Sequence, residues 1–169
     1  MIFENVTGFP PVISGDCKVL ILGSIPSIKS RETGFYYGNK TNRFWRIISE
    51  IFGEDFTVFD NKRKAEELLK HNVGLYDVFA SCKILGSSDG KIKNAELNDI
   101  PSLIKNTEIT RIYVTSQKAY KVFIKRYGEY FDGIGVKIVN LPSPSSANRS
   151  KFRTDEELIN KWKTLFIIN

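Results

Sequence analysis

Apolar residues along this chain follow two rhythms. Val19-Leu20-Ile21-Leu22 is an unbroken apolar run closed by Gly23-Ser24, the pattern of a central strand buried on both faces. Gly74 to Ala80, Arg111 to Ser116 and Val136 to Leu141 read as further strands. Between these runs the spacing changes. Phe44, Trp45, Ile48, Ile51 and Phe52 recur at helical intervals, and Gly53 supplies the stop. Lys62 to Lys70 is a second helical stretch, carrying Ala65, Leu68 and Leu69. Ser116 is placed to cap a helix whose apolar face is Tyr120, Phe123, Ile124 and Tyr127. Thr154-Asp155-Glu156-Glu157 forms a capping box that opens a closing helix with Leu158, Trp162, Leu165 and Phe166 on one face. The polar stretch from Ser81 to Asn98, with Gly86-Ser87-Ser88-Asp89-Gly90 inside it, reads as a surface loop. A short helix around Pro101 to Lys105 follows.

Strands alternating with helices predict an α/β fold: a three-layer α/β/α sandwich around a mostly parallel sheet of about four strands. The whole chain, 1–169, reads as one domain. In such sheets a site lies beyond the carboxyl ends of the strands. Two stretches of unusual composition fall there, Gly23 to Asn42 after the first strand and Leu141 to Arg149 after the last.

Composition narrows the chemistry. Hydrophobic residues make up 41% of the 169 positions, enough for a packed core without metal or disulfide staples. The charge of +6 suits a polyanionic partner without requiring one. No apolar run reaches the ~18 residues of a membrane helix, and Met1 to Pro11 lacks the layout of a secretory signal. Cys17 and Cys82 are far apart and form no CxxC pair, so buried thiols in a reduced, cytoplasmic protein are expected. The single histidine, His71, falls where a helix ends. One His and two separated Cys cannot build a zinc site or an iron–sulfur cluster, so neither metal nor other cofactor is expected.

Gly23-Ser24-Ile25-Pro26-Ser27 forms a tight turn after a buried strand. It is either an ordinary connection or a cradle for an anion or a polar base edge. Phe35, Tyr36 and Tyr37, beside Gly34 and Gly38, either pack under their loop or offer a flat face to a base. Pro142-Ser143-Pro144-Ser145-Ser146-Ala147-Asn148-Arg149 is stiff and rich in donors. It is either a surface connector or a grip on a sugar-phosphate backbone. Asn42 stands at a helix start, where Asn is a preferred cap. Asp77 is either a loop anchor or a carboxylate facing the site.

Taken together, Gly-x-x-Pro after the first strand, then Gly-Phe-Tyr-Tyr, Asn42-Arg43-Phe44-Trp45, Thr115-Ser116-Gln117-Lys118-Ala119-Tyr120 and the Leu-Pro-Ser loop form a joint pattern. That pattern resembles the uracil-DNA glycosylase superfamily over about Val19 to Arg149. The likeness is to the mismatch-specific uracil-DNA glycosylases and, most of all, to the hypoxanthine-DNA glycosylase branch. The resemblance implies a DNA repair enzyme acting on DNA that contains a deaminated base. The base is flipped out, its N-glycosidic bond is hydrolysed, and an abasic site remains. It implies base contacts from Gly23, Ser24, Ile25, Pro26, Ser27 and Phe35, with Tyr37 stacking on the flipped base. Asn42, with Asn39 as second candidate, would position the attacking water. Pro142, Ser143, Pro144, Ser145 and Ser146 would grip the backbone, and Asn148 and Arg149 would probe the gap. Ile25 departs from the pattern, because relatives carry Asn or Asp there and an isoleucine can neither orient water nor stabilise a cation. Uracil excision and a non-catalytic DNA-binding module of the same fold are therefore the alternative readings. A monomer is expected, with no membrane partner.

Overall fold

The computed structural model describes residues 3–85 and 91–168, so the Gly86–Gly90 stretch lies outside the described residues. Its centre is a parallel sheet built from β2 (Val19–Gly23), β3 (Val73–Asp77), β6 (Arg111–Val114) and β7 (Lys137–Asn140). The strand order is β3-β2-β6-β7, and all three pairings are parallel. β2 is central and buried at every position. Its side chains alternate between two cores, as the pleat requires. Leu20 and Leu22 join one cluster; Val19 and Ile21 join the other.

Helices cover both faces, as the alternation of strand and helix predicts. One face holds α2 (Phe44–Phe52), α3 (Asn61–Lys70) and α6 (Asp155–Leu165), whose Phe44, Leu68 and Trp162 are fully buried. The other holds α4 (Ile100–Ile104) and α5 (Gln117–Gly133), with Phe123 and Phe131 fully buried. Local chemistry sets the helix ends. Ser116 Oγ accepts from Ala119 N–H to start α5, and Thr154 and Glu157 form the expected capping box of α6. Gly53 ends α2 in the left-handed conformation at φ 72°. His71 closes α3, stacks on Phe52 and bonds Glu54 at 3.2 Å.

Two expectations are corrected. Gly74 to Ala80 is not one strand, because β3 stops at Asp77 and the chain passes through Val78 into β4 (Phe79–Ile84) of a different sheet. Ser81 to Asn98 is not simply a surface loop, because β4 pairs antiparallel with β5 (Ile92–Leu97) and with β1 (Glu4–Thr7). The sheet β1-β4-β5 packs Val6, Cys82, Ile84 and Ile92 into the α5-side core. Its other face is solvated, so its strands are polar enough to mimic a loop. Register shifts between Phe79 and Lys83 further blur the two-residue alternation. The stretch between Gly23 and Asn42 also contains a short helix, α1 (Ile28–Thr33), capped by Ser27.

Candidate active site

At the carboxyl edge of the parallel sheet lies a cavity of about 800 Å³, within the range of small-ligand sites. Gly23 ends β2, Asp77 ends β3, and Thr115 and Ser116 follow β6, so three adjacent strands supply its floor. Gly23 and Asp77 are register partners. A Cβ at residue 23 would sit 2.6 Å from Asp77 Oδ1 and 3.2 Å from the Tyr37 hydroxyl. Glycine is therefore what lets a carboxylate and a phenol reach across the end of the central strand.

Asp77 is 4% exposed and is held from behind. Its carbonyl accepts from Asn98 Nδ2 at 2.8 Å, while Asn98 Oδ1 accepts from the Tyr76 hydroxyl at 2.9 Å and Asn98 O from the Tyr127 hydroxyl at 3.0 Å. Val78 N–H donates to Gly23 O at 2.9 Å, and Asn98 N–H to Val78 O at 2.9 Å. These bonds fix the turn where the chain changes sheets, so the entry to β4 and the exit from β5, neither strand legible in the sequence, are what aim Asp77. Burial and then the Asp77 charge push the Tyr36 and Tyr76 phenols above their ordinary range.

The three aromatics divide the alternatives left open by the sequence. Phe35 does pack under its loop, stacked on Trp45 with ring centroids 5.9 Å apart. It is not among the cavity-lining residues. Tyr36 is buried, donates to Pro10 O at 2.8 Å and touches the cavity wall. Tyr37 lines the cavity with its ring stacked on Phe44 at 3.8 Å. Its hydroxyl lies 2.9 Å from Thr115 Oγ1. Thr115 Oγ–H is also within 3.3 Å of Leu22 O. Tyr37 adopts φ 52°, an uncommon region for a bulky side chain, and these two contacts hold it there.

Gly23, Ser24, Ile25, Pro26 and Ser27 all line the cavity. Ile25 is 8% exposed and belongs to the α5-side core. Ser27 is engaged as the α1 cap. Asn39 and Asn42 both reach the cavity, and both side-chain carbonyls also serve the local backbone. Asn39 Oδ1 accepts from Thr41 N–H at 3.0 Å and from Thr41 Oγ–H at 2.9 Å. Asn42 Oδ1 accepts from Phe44 N–H at 2.9 Å, the helix-start role its residue type favours.

The opposite wall is Ser143, Pro144, Ser145, Ser146 and Asn148. Asn148 Nδ2 donates to Ser143 O at 3.0 Å and closes the loop on itself. Pro142 stands outside the cavity, its carbonyl accepting from Trp162 Nε1 at 2.9 Å. Arg149 also lies beyond it, 3.5 Å from Asp155. Arg43, whose guanidinium is 3% exposed, joins the two walls. It donates to Phe152 O at 2.8 Å and Ser145 O at 3.1 Å, and its N–H to Pro144 O at 2.9 Å. Burial and nearby Arg149 lower its pKa; Asp155 opposes them. Arg43 stood in plain view in the sequence as the residue after Asn42, but its tertiary partners lie more than a hundred positions away.

Comparison with known proteins agrees with this geometry. The family model of the uracil DNA glycosylase superfamily matches residues 10–166. A hypoxanthine DNA glycosylase of Methanosarcina acetivorans is 34% identical over 162 residues, covering 94% of this chain and 96% of the relative. One from Methanosarcina barkeri is 35% identical over 150 residues, covering 87% and 90%. A solution NMR structure from Methanosarcina acetivorans, described as a uracil DNA glycosylase, superposes with a TM-score of 0.77 at 33% identity, covering 96% of this chain and 99% of the other. The match to the family model, these relatives and the cavity at the strand ends give one conclusion: the chain belongs to the uracil DNA glycosylase superfamily.

Proposed function

We propose that this DNA glycosylase removes hypoxanthine from DNA, and that Asp77 reads the base edge. The observation that carries this reading is the buried Asp77 carboxylate in the cavity floor, beside Gly23 and the Tyr37 hydroxyl. A carboxyl oxygen of Asp77 can accept a hydrogen bond from a base N–H. Hypoxanthine presents N1–H at the edge where adenine presents a bare nitrogen, so an acceptor there favours the deaminated base over its parent. The two Methanosarcina relatives named hypoxanthine DNA glycosylase support the same choice. Uracil is the second reading, because its N3–H meets an acceptor in the same way.

The flipped base stacks on Tyr37, which lines the cavity and is itself backed by Phe44. The bond between C1′ and the base nitrogen breaks, and its electron pair leaves with the base. Water adds to the cation-like C1′ and loses a proton, leaving an abasic sugar. Asn42 and Asn39 line the wall from which an amide can hold that water. Ile25 offers no such group, so stabilising the departing base and the sugar cation contributes more than water activation. Ser143, Ser145 and Ser146 hold the flanking backbone.

Duplexes bearing one deoxyinosine, one deoxyuridine or no lesion test this reading. Incubation followed by hot alkali should cleave the inosine strand fastest and the intact duplex not at all. Cleavage of neither lesion strand would leave the non-catalytic DNA-binding reading; cleavage at uracil alone would replace hypoxanthine with uracil.

A further inference from the structure

A second cavity, of about 580 Å³, lies against the Tyr37–Arg43 segment. Tyr37, Asn39, Asn42 and Ser146 line both cavities, so the two are neighbouring depressions with a common wall. Thr41 Oγ and Ser146 Oγ lie 3.2 Å apart, a hydroxyl–hydroxyl contact that ties together the two loops that form it. The linings differ in charge. Lys40, Arg43, Arg46, Lys64 and Arg149 face a single carboxylate, Asp155, in the second cavity. That is a dense share of the net charge of +6 carried by the whole chain.

Asp155 does not quench these cations; it arrays them. One of its oxygens holds Arg46, and the other lies 3.5 Å from Arg149 Nη1 and 4.0 Å from Arg43 Nε. The Arg46 and Arg149 side chains stay 63% and 48% exposed, turned to water rather than consumed by the carboxylate. Lys64 Nζ sits 5.0 Å over the Trp45 ring, which fixes a further positive charge in the groove. Such an array of fixed guanidinium and ammonium groups matches phosphate oxygens.

We propose that this groove is a binding site for phosphodiesters of the strand running away from the flipped nucleotide, contacted by Lys40, Arg46, Lys64 and Arg149. Ser146, which holds flanking backbone in the glycosylase reading, stands in the shared wall, so the groove lies next to that backbone and offers it concentrated positive charge. The inference rests on the glycosylase reading and adds residues to it, since Arg46 and Lys64 lie outside both motif loops and Lys40, within the first, has no role in that reading.

The test is the salt dependence of binding to a deoxyinosine duplex. Each phosphate contact contributes a slope of about −0.9 in log affinity against log salt. Arg46→Gln with Lys64→Gln should reduce the slope magnitude by about 1–2 and weaken low-salt binding about 10-fold or more. Lys40→Gln alone, in a loop outside the helix packing, should reduce it by about 1. Lys121→Gln with Lys125→Gln removes the same charge from exposed α5 and should keep the wild-type slope. Wild-type slopes in the groove variants, melting as wild type, would overturn the proposal, as would an equal loss in the α5 variant. Loss of the glycosylase reading is scored separately, by the absence of an alkali-labile product from the wild-type enzyme.

Discussion

At Asp77, a short carboxylate is useful only because its register partner, Gly23, has no side chain. If it accepts the N–H of the base edge, Asp77→Ala should slow single-turnover hypoxanthine excision about 10- to 100-fold, the scale of one hydrogen bond to a charged group (~1.5–3 kcal/mol). Unchanged excision by folded protein would remove Asp77 from the base edge. Tyr37 combines a stack on Phe44 with a hydrogen bond to Thr115. Tyr37→Ala should weaken lesion-DNA binding by about 1–3 kcal/mol, while Tyr37→Phe keeps the stack and most of the affinity. Equal affinity of Ala and wild type in a fluorescence titration would exclude stacking there. Asn42 is the residue whose two sequence-level roles the structure lets coexist, since it lines the cavity and also accepts from Phe44 N–H. Asn42→Ala should cost about 1 kcal/mol of stability and, if Asn42 also holds the water, at least ~100-fold in single-turnover rate. A stability loss with normal excision would pass the water-holding role to Asn39.

Between elements, the critical join is from the α2 start to the loop after β7. Arg43 makes it with two guanidinium bonds and one backbone bond. Arg43→Met keeps the stem but strands two carbonyl oxygens, each costing about 1–3 kcal/mol. It should therefore lower urea-melt stability by several kcal/mol, whereas Arg43→Lys retains one donor and loses less. A Met variant as stable as wild type would show that the loop holds its shape unaided. This join also marks the limit of what the sequence reveals. The apolar run Val19–Leu22 and the spacing of Phe44, Ile48 and Trp162 announce their elements, because burial on a pleat or a helix face has a period. The small sheet of β1, β4 and β5 has one solvated face and shifted register, so its pattern is faint. Both motif loops are legible from composition, yet the roles of Phe35 and Tyr36 depend on Trp45, Phe9 and Pro10, contacts no local pattern encodes. Asn98, which aims Asp77, has no signal of its own in the chain.

On the scale of the whole molecule, the parallel sheet separates two apolar clusters, and the cavity sits where both end. Ile25 belongs to the α5-side cluster, Tyr36 to the other, and both touch the cavity. Strands β2 and β3 and the segments after β6 and β7 all contribute to its lining, so a bound nucleotide bridges elements from most of the chain. Occupying the site should stabilise the fold as a unit rather than one loop. A ligand that binds only the native state at 100 times its Kd adds about 2.7 kcal/mol. For a protein of this size that raises Tm by about 5–10 °C. A short duplex bearing deoxyinosine should produce that shift in a single transition, followed by tryptophan fluorescence with Trp45 and Trp162 both in the buried core. To separate binding from turnover, the melt is run with a variant whose excision is slow, such as Asn42→Ala, against its own ligand-free baseline. An undamaged duplex of the same sequence engages the basic surfaces but leaves the cavity empty, so its shift should be smaller and should fade with added salt. The lesion-specific part should persist in salt, because stacking on Tyr37 and the bond to Asp77 lie inside the cavity. Equal shifts for the two duplexes at every salt concentration would mean that the strand-end cavity takes no base.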